Sequence, residues 1–292
     1  METSLPYAVW RARLRDYLSG RERLLEWFRM ARYALVQGPW QPWLVRWYER
    51  HAHNPPLPVA PHSLFPDLDA ARAVRDLDAD AYARGFTVPG DVVGEIAAWA
   101  REVGRKRIDE AHLDCEPVRL LAHDPRLVAV ARGYLHAEPV LLTSKLYWTV
   151  PPADPHGRQL AAAERGRFHY DLADVRALTV FVYLTDVDAG CGPHVVVRGT
   201  QRRRTPMQIL RRTLGDDEVR RRYGDRVVTV LGPRGTGWFE DITCYHKQAP
   251  GERPRLMLSL IYSLHRPPLR ATRDRVAAAR RTPPGPPPRR SR

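Results

Sequence analysis

Cysteine and lysine are scarce in this sequence. Among 292 residues there are three cysteines, and only three of the 47 basic Lys and Arg residues are lysine. Cys115, Cys191 and Cys244 lie far apart, and no pair has the C-x-x-C spacing of a zinc or redox motif. We therefore expect free thiols in a reducing compartment rather than a disulfide framework.

Long hydrophobic runs are missing as well. The longest uncharged apolar run covers only residues 177–184, whereas a membrane-spanning helix needs about 20 apolar residues. The first residues reach Arg11, Arg13 and Arg15 without an apolar core of the kind found in a signal peptide. We expect a cytoplasmic protein without a transmembrane segment.

The charge is strongly one-sided, with 47 basic and 33 acidic residues and a net charge of +14. Such a charge permits acidic partners, namely nucleic acid, anionic lipid, or phosphorylated carriers and nucleotides. One interpretation is therefore a non-catalytic basic module that binds nucleic acid or an anionic surface. No motif specifies a nucleic-acid partner, and a hydrophobic share of 43% indicates a globular chain.

The sequence divides into three parts. Residues 1–75 are predicted to be a helical N-terminal extension and linker, because apolar residues recur at helical spacing over 8–36 and a second helix is predicted over 40–51. Tryptophan and arginine alternate there, so the extension either packs on the main domain or binds a membrane surface or a partner. Residues 76–265 are the predicted main domain, and 266–292 are a predicted disordered Arg/Pro-rich tail.

Within the main domain, helices are predicted first and short strands afterwards. A short helix is predicted to end at Gly85, and further helices are predicted over 91–106 and 125–134. The predicted strands are 140–150, 177–185, 193–197, 226–231, 237–242 and 256–263. This order indicates an α+β protein in which helices pack outside a β-sandwich or open barrel.

One His-x-Asp pair stands out as a candidate metal site. With 11 histidines and 33 acidic residues, some His-x-acid pairs arise by chance, and those at His112 and His136 lie in helical surroundings. His169 and Asp171 lie at the edge of the β region, where residues i and i+2 point to the same face. His246 follows a distant extended run. Two histidines and one carboxylate leave open positions on iron(II), as an oxygenase requires, and a zinc enzyme on a similar barrel is the alternative.

An arginine follows the second histidine of this candidate site. Arg255 opens the predicted strand after His246, and a guanidinium suits a bidentate grip on a carboxylate. Arg253 is the competing residue, since it precedes Arg255 by two positions and can lie on the same face. A dicarboxylate that chelates the metal at one end can be held by one of these arginines at the other.

The order of these motifs resembles the phytanoyl-CoA dioxygenase-like family of iron(II)/2-oxoglutarate-dependent oxygenases, over roughly 77–264. The resemblance starts with Asp-Leu-Asp-Ala-Asp before Gly85-Phe86 and with the helix at 124–131. The later motifs are Leu184-Thr185-Asp186-Val187-Asp188, Gly190-Cys191-Gly192, Val197-Arg198-Gly199-Thr200, and Gly237-Trp238-Phe239-Glu240-Asp241 with His246 and Arg255.

The resemblance implies a double-stranded β-helix (jelly-roll or cupin-like) core with packed N-terminal helices. It implies three iron(II) ligands that are also the catalytic residues: His169, Asp171 and His246. It implies three contacts for 2-oxoglutarate: Arg255 as the clamp, Gln248 and Leu146. It further implies dioxygen as a reactant and the hydroxylation of a small-molecule or carrier-linked substrate. Asp171 stands where a chloride-binding halogenase has a small residue, which favours hydroxylation.

Overall fold

The computed structural model describes residues 40–154, 166–171, 174–201 and 213–265. The predicted helical stretch 8–36 and the predicted tail 266–292 lie outside these ranges. The helices are α1 (Gln41–His51), α2 (Ala70–Asp80), α3 (Gly90–Val103), α4 (Glu116–Ala122), α5 (Pro125–Leu135) and α6 (Asp216–Tyr223). The strands are β1 (Tyr82–Thr87), β2 (Arg107–Asp109), β3 (Val140–Thr149), β4 (Phe168–His169), β5 (Ala177–Tyr183), β6 (His194–Val197), β7 (Thr213–Leu214), β8 (Val227–Val230), β9 (Thr236–Glu240), β10 (His246–Gln248) and β11 (Arg255–Ser263).

Local signals explain where α3 and α5 begin and end. The Asp124 side chain accepts hydrogen bonds from two backbone N–H groups of the first turn of α5, and Pro125 occupies the first helical position. α3 ends at Gly104, which takes the left-handed conformation at φ 66°. The helices predicted over 91–106 and 125–134 are thereby confirmed, with an earlier end for the first.

The end predicted at Gly85 for the short helix is wrong. α2 ends earlier, at Asp80, and is capped by Ala81, whose φ is 55° and whose N–H donates to the Leu77 carbonyl. Gly85 lies instead in β1, beside β9. A Cβ at Gly85 would lie 2.6 Å from the Gly237 carbonyl oxygen, so glycine is needed there for close strand packing and not for a helix cap. α2 also runs across the predicted domain boundary between residues 75 and 76.

The strands form two antiparallel sheets. The order is β1-β9-β5-β11-β3-β2 in the six-stranded sheet and β7-β4-β10-β6-β8 in the five-stranded sheet. The longer predicted strands are confirmed as β3, β5, β6, β8, β9 and β11. Five strands were not predicted: β1, β2, β4, β7 and β10. All of these except β1 have only two or three residues.

β11 shows how the six-stranded sheet divides its two faces. Leu256, Leu258 and Leu260 pack in one buried cluster with apolar residues of the helices. Met257 and Ile261 belong to a second cluster between the sheets, since successive side chains on a strand point to opposite faces. The six-stranded sheet therefore carries helices on its outer face and a separate interior on its inner face.

The five-stranded sheet closes the other side of this interior. Val196 and Val230 belong to the same inner cluster as Met257. Val195 and Val197, which alternate with Val196 on β6, instead pack on the outer side with Val219 of α6. The two sheets thus face each other, and residues of both line the space between them.

α1 confirms the helix predicted over 40–51 and carries an exposed aromatic face. Trp43 is 81% exposed and Trp47 is 53% exposed. The opposite side of the helix is fixed to the main body, because Glu49 accepts a hydrogen bond of 2.7 Å from Arg176. Across the described ranges, none of the helices has the length and apolar content needed to traverse a bilayer.

Candidate metal centre

His169 and His246 lie side by side on neighbouring strands. They are Cα partners in the antiparallel pairing of β4 with β10, and their ring centroids are 4.6 Å apart. Phe168, which precedes His169, packs in the outer cluster of the sheet, so His169 points to the interior. His246 is also the register partner of Val196, which belongs to the inner cluster, so both imidazoles lie on the inner face.

Asp171 completes a group of three ligand-type side chains. Its backbone N–H donates to the Ile242 carbonyl at 2.8 Å, which holds it beside the turn that precedes His246. Its Oδ2 lies 3.8 Å from Nε2 of His246, and its side chain is 55% exposed. One potential ligand atom from each of His169, Asp171 and His246 lies within 4.8 Å of the other two. Neighbouring ligand atoms about 2.0–2.2 Å from a shared metal lie about 3–3.6 Å apart, so the three side chains can hold a single cation after a small adjustment.

The ring of His246 is oriented for metal binding through Nε2. Its Nδ1 lies 3.0 Å from the Cys244 carbonyl, and an N–H donated there leaves the Nε2 lone pair facing Asp171. Burial lowers the pKa of His246, although the nearby Glu240 and Asp171 carboxylates act in the opposite direction. The neutral imidazole, which is the form that binds metals, is therefore favoured at neutral pH.

The turn that delivers His246 is fixed by Asp241. One carboxylate oxygen of Asp241 accepts from the backbone N–H and the hydroxyl of Thr243, at 2.9 and 2.7 Å. The other accepts from the Tyr134 hydroxyl of α5 at 2.7 Å. Burial first, and the Asp241 charge second, raise the pKa of Tyr134 well above its ordinary value, so the phenol stays a donor. The turn is thereby anchored to the helical layer.

A second carboxylate lies behind His246, deep in the interior. Glu240 is completely buried, and its Oε2 accepts hydrogen bonds from Nε2 of His194 at 2.8 Å and Nε1 of Trp238 at 3.2 Å. Its Oε1 lies 3.8 Å from Nδ1 of His246. Burial on its own raises the pKa of Glu240, but His194 and then His246 outweigh it, so the pKa lies below its ordinary value.

Glu240 was not predicted to be part of this site. The signal in the sequence was the alternation of side chains along the strand, because Glu240 follows the helix-facing Phe239 and therefore shares the inner face with Trp238. The His194 ring also belongs to this group, since it stacks on His246 at a centroid distance of 5.5 Å and an interplanar angle of 22°.

The two candidate arginines lie in very different places. Arg255 is 1% exposed, shares the inner face of β11 with Met257, and lies over the Tyr183 ring at 5.5 Å. Its Nη1 donates to the Gly192 carbonyl at 2.5 Å, and its Nε has no hydrogen-bond partner among the described residues. Arg253 is exposed and forms an ion pair with Asp188 at the surface.

The structure brings Gln248 to the arginine end of the interior but does not bring Leu146 there. Gln248 accepts a hydrogen bond of 3.2 Å from Thr149, which is the register partner of Arg255. Leu146 packs in the helix-side cluster with Leu258, on the opposite face of the sheet. Its neighbour Tyr147 lies on the inner face instead. The structure thus gives no support to a contact of Leu146 with the co-substrate, which stays a prediction.

A cleft opens beside Gln248 at this end of the interior. Its volume is about 380 Å³, and Thr149, Gln248 and Cys191 contribute to its walls. The proline pair at 151–152 forms part of the same wall. The cleft therefore lies next to the start of β11, with Thr149 and Gln248 between it and Arg255.

Comparisons with known proteins give a likeness at the level of the fold. EctD from S. alaskensis with bound Fe is 21% identical, with a TM-score of 0.50 over 75% of this chain and 89% of that chain. Apo HygX from Streptomyces hygroscopicus is 14% identical, with a TM-score of 0.50 over 66% of this chain and 85% of that chain. No family model matches the sequence, and no curated protein matches it. The predicted membership of the phytanoyl-CoA dioxygenase-like family stays a prediction.

Proposed function

We propose that this protein is an iron(II)/2-oxoglutarate-dependent oxygenase that hydroxylates an unactivated C–H bond of a small-molecule or carrier-linked substrate. The observation that carries the proposal is the convergence of His169, Asp171 and His246, whose ligand atoms lie within 4.8 Å of one another. Two imidazoles and one carboxylate form the facial set typical of non-heme iron(II) oxygenases, with positions left for co-substrate and dioxygen.

The fold supports this assignment. We propose that the two facing antiparallel sheets form a double-stranded β-helix with the metal centre at its inner surface. The protein with which the chain shares its fold at 21% identity, EctD, was crystallised with bound Fe. The metal ligands here come from β4, the residues directly after it, and β10, so they belong to one sheet and share its inner face.

Arg255 is the proposed clamp for 2-oxoglutarate. The co-substrate carries a carboxylate at each end, so one end can bind the metal while the guanidinium binds the other. The burial of Arg255 supports this role, because a buried guanidinium requires an anionic or hydrogen-bonding partner, and its Nε has none among the described residues. Gln248 and Thr149, which contact each other beside Arg255, supply further polar groups at the same end.

The residues around the metal centre have different proposed roles in the reaction. Iron(II), when bound, supplies the activation of dioxygen coupled to conversion of 2-oxoglutarate into succinate and carbon dioxide. Tyr147, Tyr183 and Trp238 fill the interior around the co-substrate position and exclude bulk water. Burial raises the pKa of Tyr183 to about 12, so its hydroxyl remains a neutral hydrogen-bond donor. Asp171 is the exposed ligand, and we propose that the substrate reaches the metal from its side.

The test is a stepwise titration under anaerobic conditions. Metal-free protein is mixed with iron(II) and then with 2-oxoglutarate, and the visible charge-transfer band of the chelate is recorded. We expect the band in the unaltered protein and its loss in His169→Ala and Asp171→Ala. Arg255→Met should retain metal binding but require much more 2-oxoglutarate, whereas Arg253→Met, which changes an exposed arginine, should behave like the unaltered protein.

Three results would contradict the proposal. Absence of the chelate band in the unaltered protein at saturating iron(II) and 2-oxoglutarate would exclude the oxygenase. Tight zinc binding together with metal-dependent hydrolysis would favour the zinc enzyme. A salt-dependent nucleic-acid interaction that survives His169→Ala, without a chelate band, would favour the basic module.

A further inference from the structure

The buried carboxylate of Glu240 has no role in the chemistry described above, yet it lies against a metal ligand. Its exposure is 0%, and a fully buried carboxylate is costly unless cations or hydrogen bonds compensate it. One oxygen, Oε2, has two donors, the rings of His194 and Trp238. The other oxygen, Oε1, has no hydrogen-bond partner among the described residues.

The position of Oε1 relative to His246 is informative. It lies 3.8 Å from Nδ1, while Nε2 on the far side of the same ring lies 3.8 Å from Asp171. Nδ1 therefore has two oxygen atoms near it, the Cys244 carbonyl oxygen at 3.0 Å and Oε1 of Glu240. A carboxylate in this place favours the Nδ1–H tautomer and makes Nε2 a better donor to a metal.

We propose that Glu240 is a positioning residue of the metal centre, which favours the metal-binding tautomer of His246 electrostatically and supplies the negative charge that balances the bound cation. This inference rests on the proposed function. A divalent cation with one coordinating carboxylate, Asp171, leaves one positive charge in the interior, and Glu240 compensates it from behind the ring. His194 keeps Glu240 in place through its 2.8 Å hydrogen bond and supports the His246 ring by stacking on it.

The alternative is that Glu240 only satisfies His194 and Trp238. Both hydrogen bonds go to Oε2 and leave Oε1 uncommitted. A purely structural acceptor would be replaceable by an amide, since the carbonyl oxygen of glutamine accepts the same two hydrogen bonds. The two roles therefore differ in what Glu240→Gln does to metal binding.

The experiment measures cobalt(II) binding to metal-free protein under anaerobic conditions, by isothermal titration calorimetry and by electron paramagnetic resonance. We expect Glu240→Gln to weaken the affinity by about 10- to 100-fold, the usual effect of losing an outer-shell partner of a metal-ligating histidine, and to shift the cobalt(II) g-values. Thr179→Val is the matched control, because Thr179 is the buried register partner of Glu240 on β5. It should leave both the affinity and the spectrum unchanged.

Glu240→Asp provides a second variant that keeps the charge but retracts the oxygens from His246. We expect an affinity between those of the unaltered protein and Glu240→Gln. Equal cobalt(II) affinity in a folded Glu240→Gln variant and the unaltered protein would overturn the inference while leaving the proposed function intact. Failure of the unaltered protein itself to bind cobalt(II) would overturn both.

Discussion

The hydrogen bond between Tyr134 and Asp241 links the helical layer to the turn that carries His246, and its removal has a defined expected effect. Tyr134→Phe deletes one hydroxyl and keeps the ring, so the packing of Arg176 over that ring at 4.0 Å is retained. The lost bond is 2.7 Å long, fully buried and directed at a carboxylate. Hydrogen bonds to charged groups contribute about 1.5–3 kcal/mol.

We therefore expect the free energy of unfolding to fall by about 2 kcal/mol, within that range. For a domain of this size, 1 kcal/mol corresponds to about 2–4 °C, so Tm should decrease by about 4–8 °C. The Asp241 carboxylate would keep its two bonds from Thr243, so the turn should persist but with more freedom. Cobalt(II) affinity should consequently fall as well.

Tyr262→Phe is a matched control for this prediction. The Tyr262 hydroxyl is also buried and donates a 2.8 Å hydrogen bond, but its acceptor is the neutral Ala122 carbonyl. The expected loss is about 0.5–1.5 kcal/mol, with unchanged cobalt(II) affinity. Urea unfolding and calorimetric metal titration of both variants test the reasoning. An equal or larger loss of stability in Tyr262→Phe, or equal metal affinities in the two variants, would refute it.

Three further predictions concern residues outside the metal cluster. Leu146→Ala should cost about 2–5 kcal/mol of stability in urea unfolding because it opens a cavity against the helices, while the folded variant keeps its 2-oxoglutarate affinity; a selective loss of that affinity would support the contact of Leu146 with the co-substrate. Burial raises the pKa of Cys244 to about 12, so iodoacetamide at pH 8 should label it only after unfolding, and mass spectrometry of the native protein would reveal the contrary. A hydrogen bond from Arg132 lowers the pKa of Glu138; its contribution to stability is present above the ordinary pKa of about 4.3 and is lost as the pH falls through the lowered value. Urea unfolding across this acid range should therefore show a smaller decline in Glu138→Gln than in the unaltered protein, and equal declines would argue against it.

The main elements of the fold were readable from the sequence, because they follow from local patterns. The start of α5 is indicated by Asp124 and Pro125. β5 and β11 consist mostly of apolar residues and are buried along their whole length. The short strands β4, β7 and β10 have only two or three residues each. They exist because neighbouring strands pair with them, and no local pattern of that length can indicate this.

The candidate site was partly readable for the same reason. The i, i+2 spacing of His169 and Asp171 is local, whereas the pairing of His169 with His246 is a long-range register. An error of one residue in a strand reverses the face, and Leu146 lies on the face opposite to Tyr147. Glu240 was overlooked because its neighbours His194 and His246 meet it only through the packing of two sheets.

The alternation along β11 has a consequence for how such a protein can diversify. Leu256, Leu258 and Leu260 pack against the helical layer, while Met257, and with it Arg255, lies on the face that is turned toward the other sheet. Exchanging every second side chain of β11 can therefore change substrate preference while the contacts between the leucines and the helices are kept. If the proposed function is right, directed evolution at inward-facing positions such as Met257 and Ser259 would alter the lining of the interior while the leucines that pack on the helices are kept.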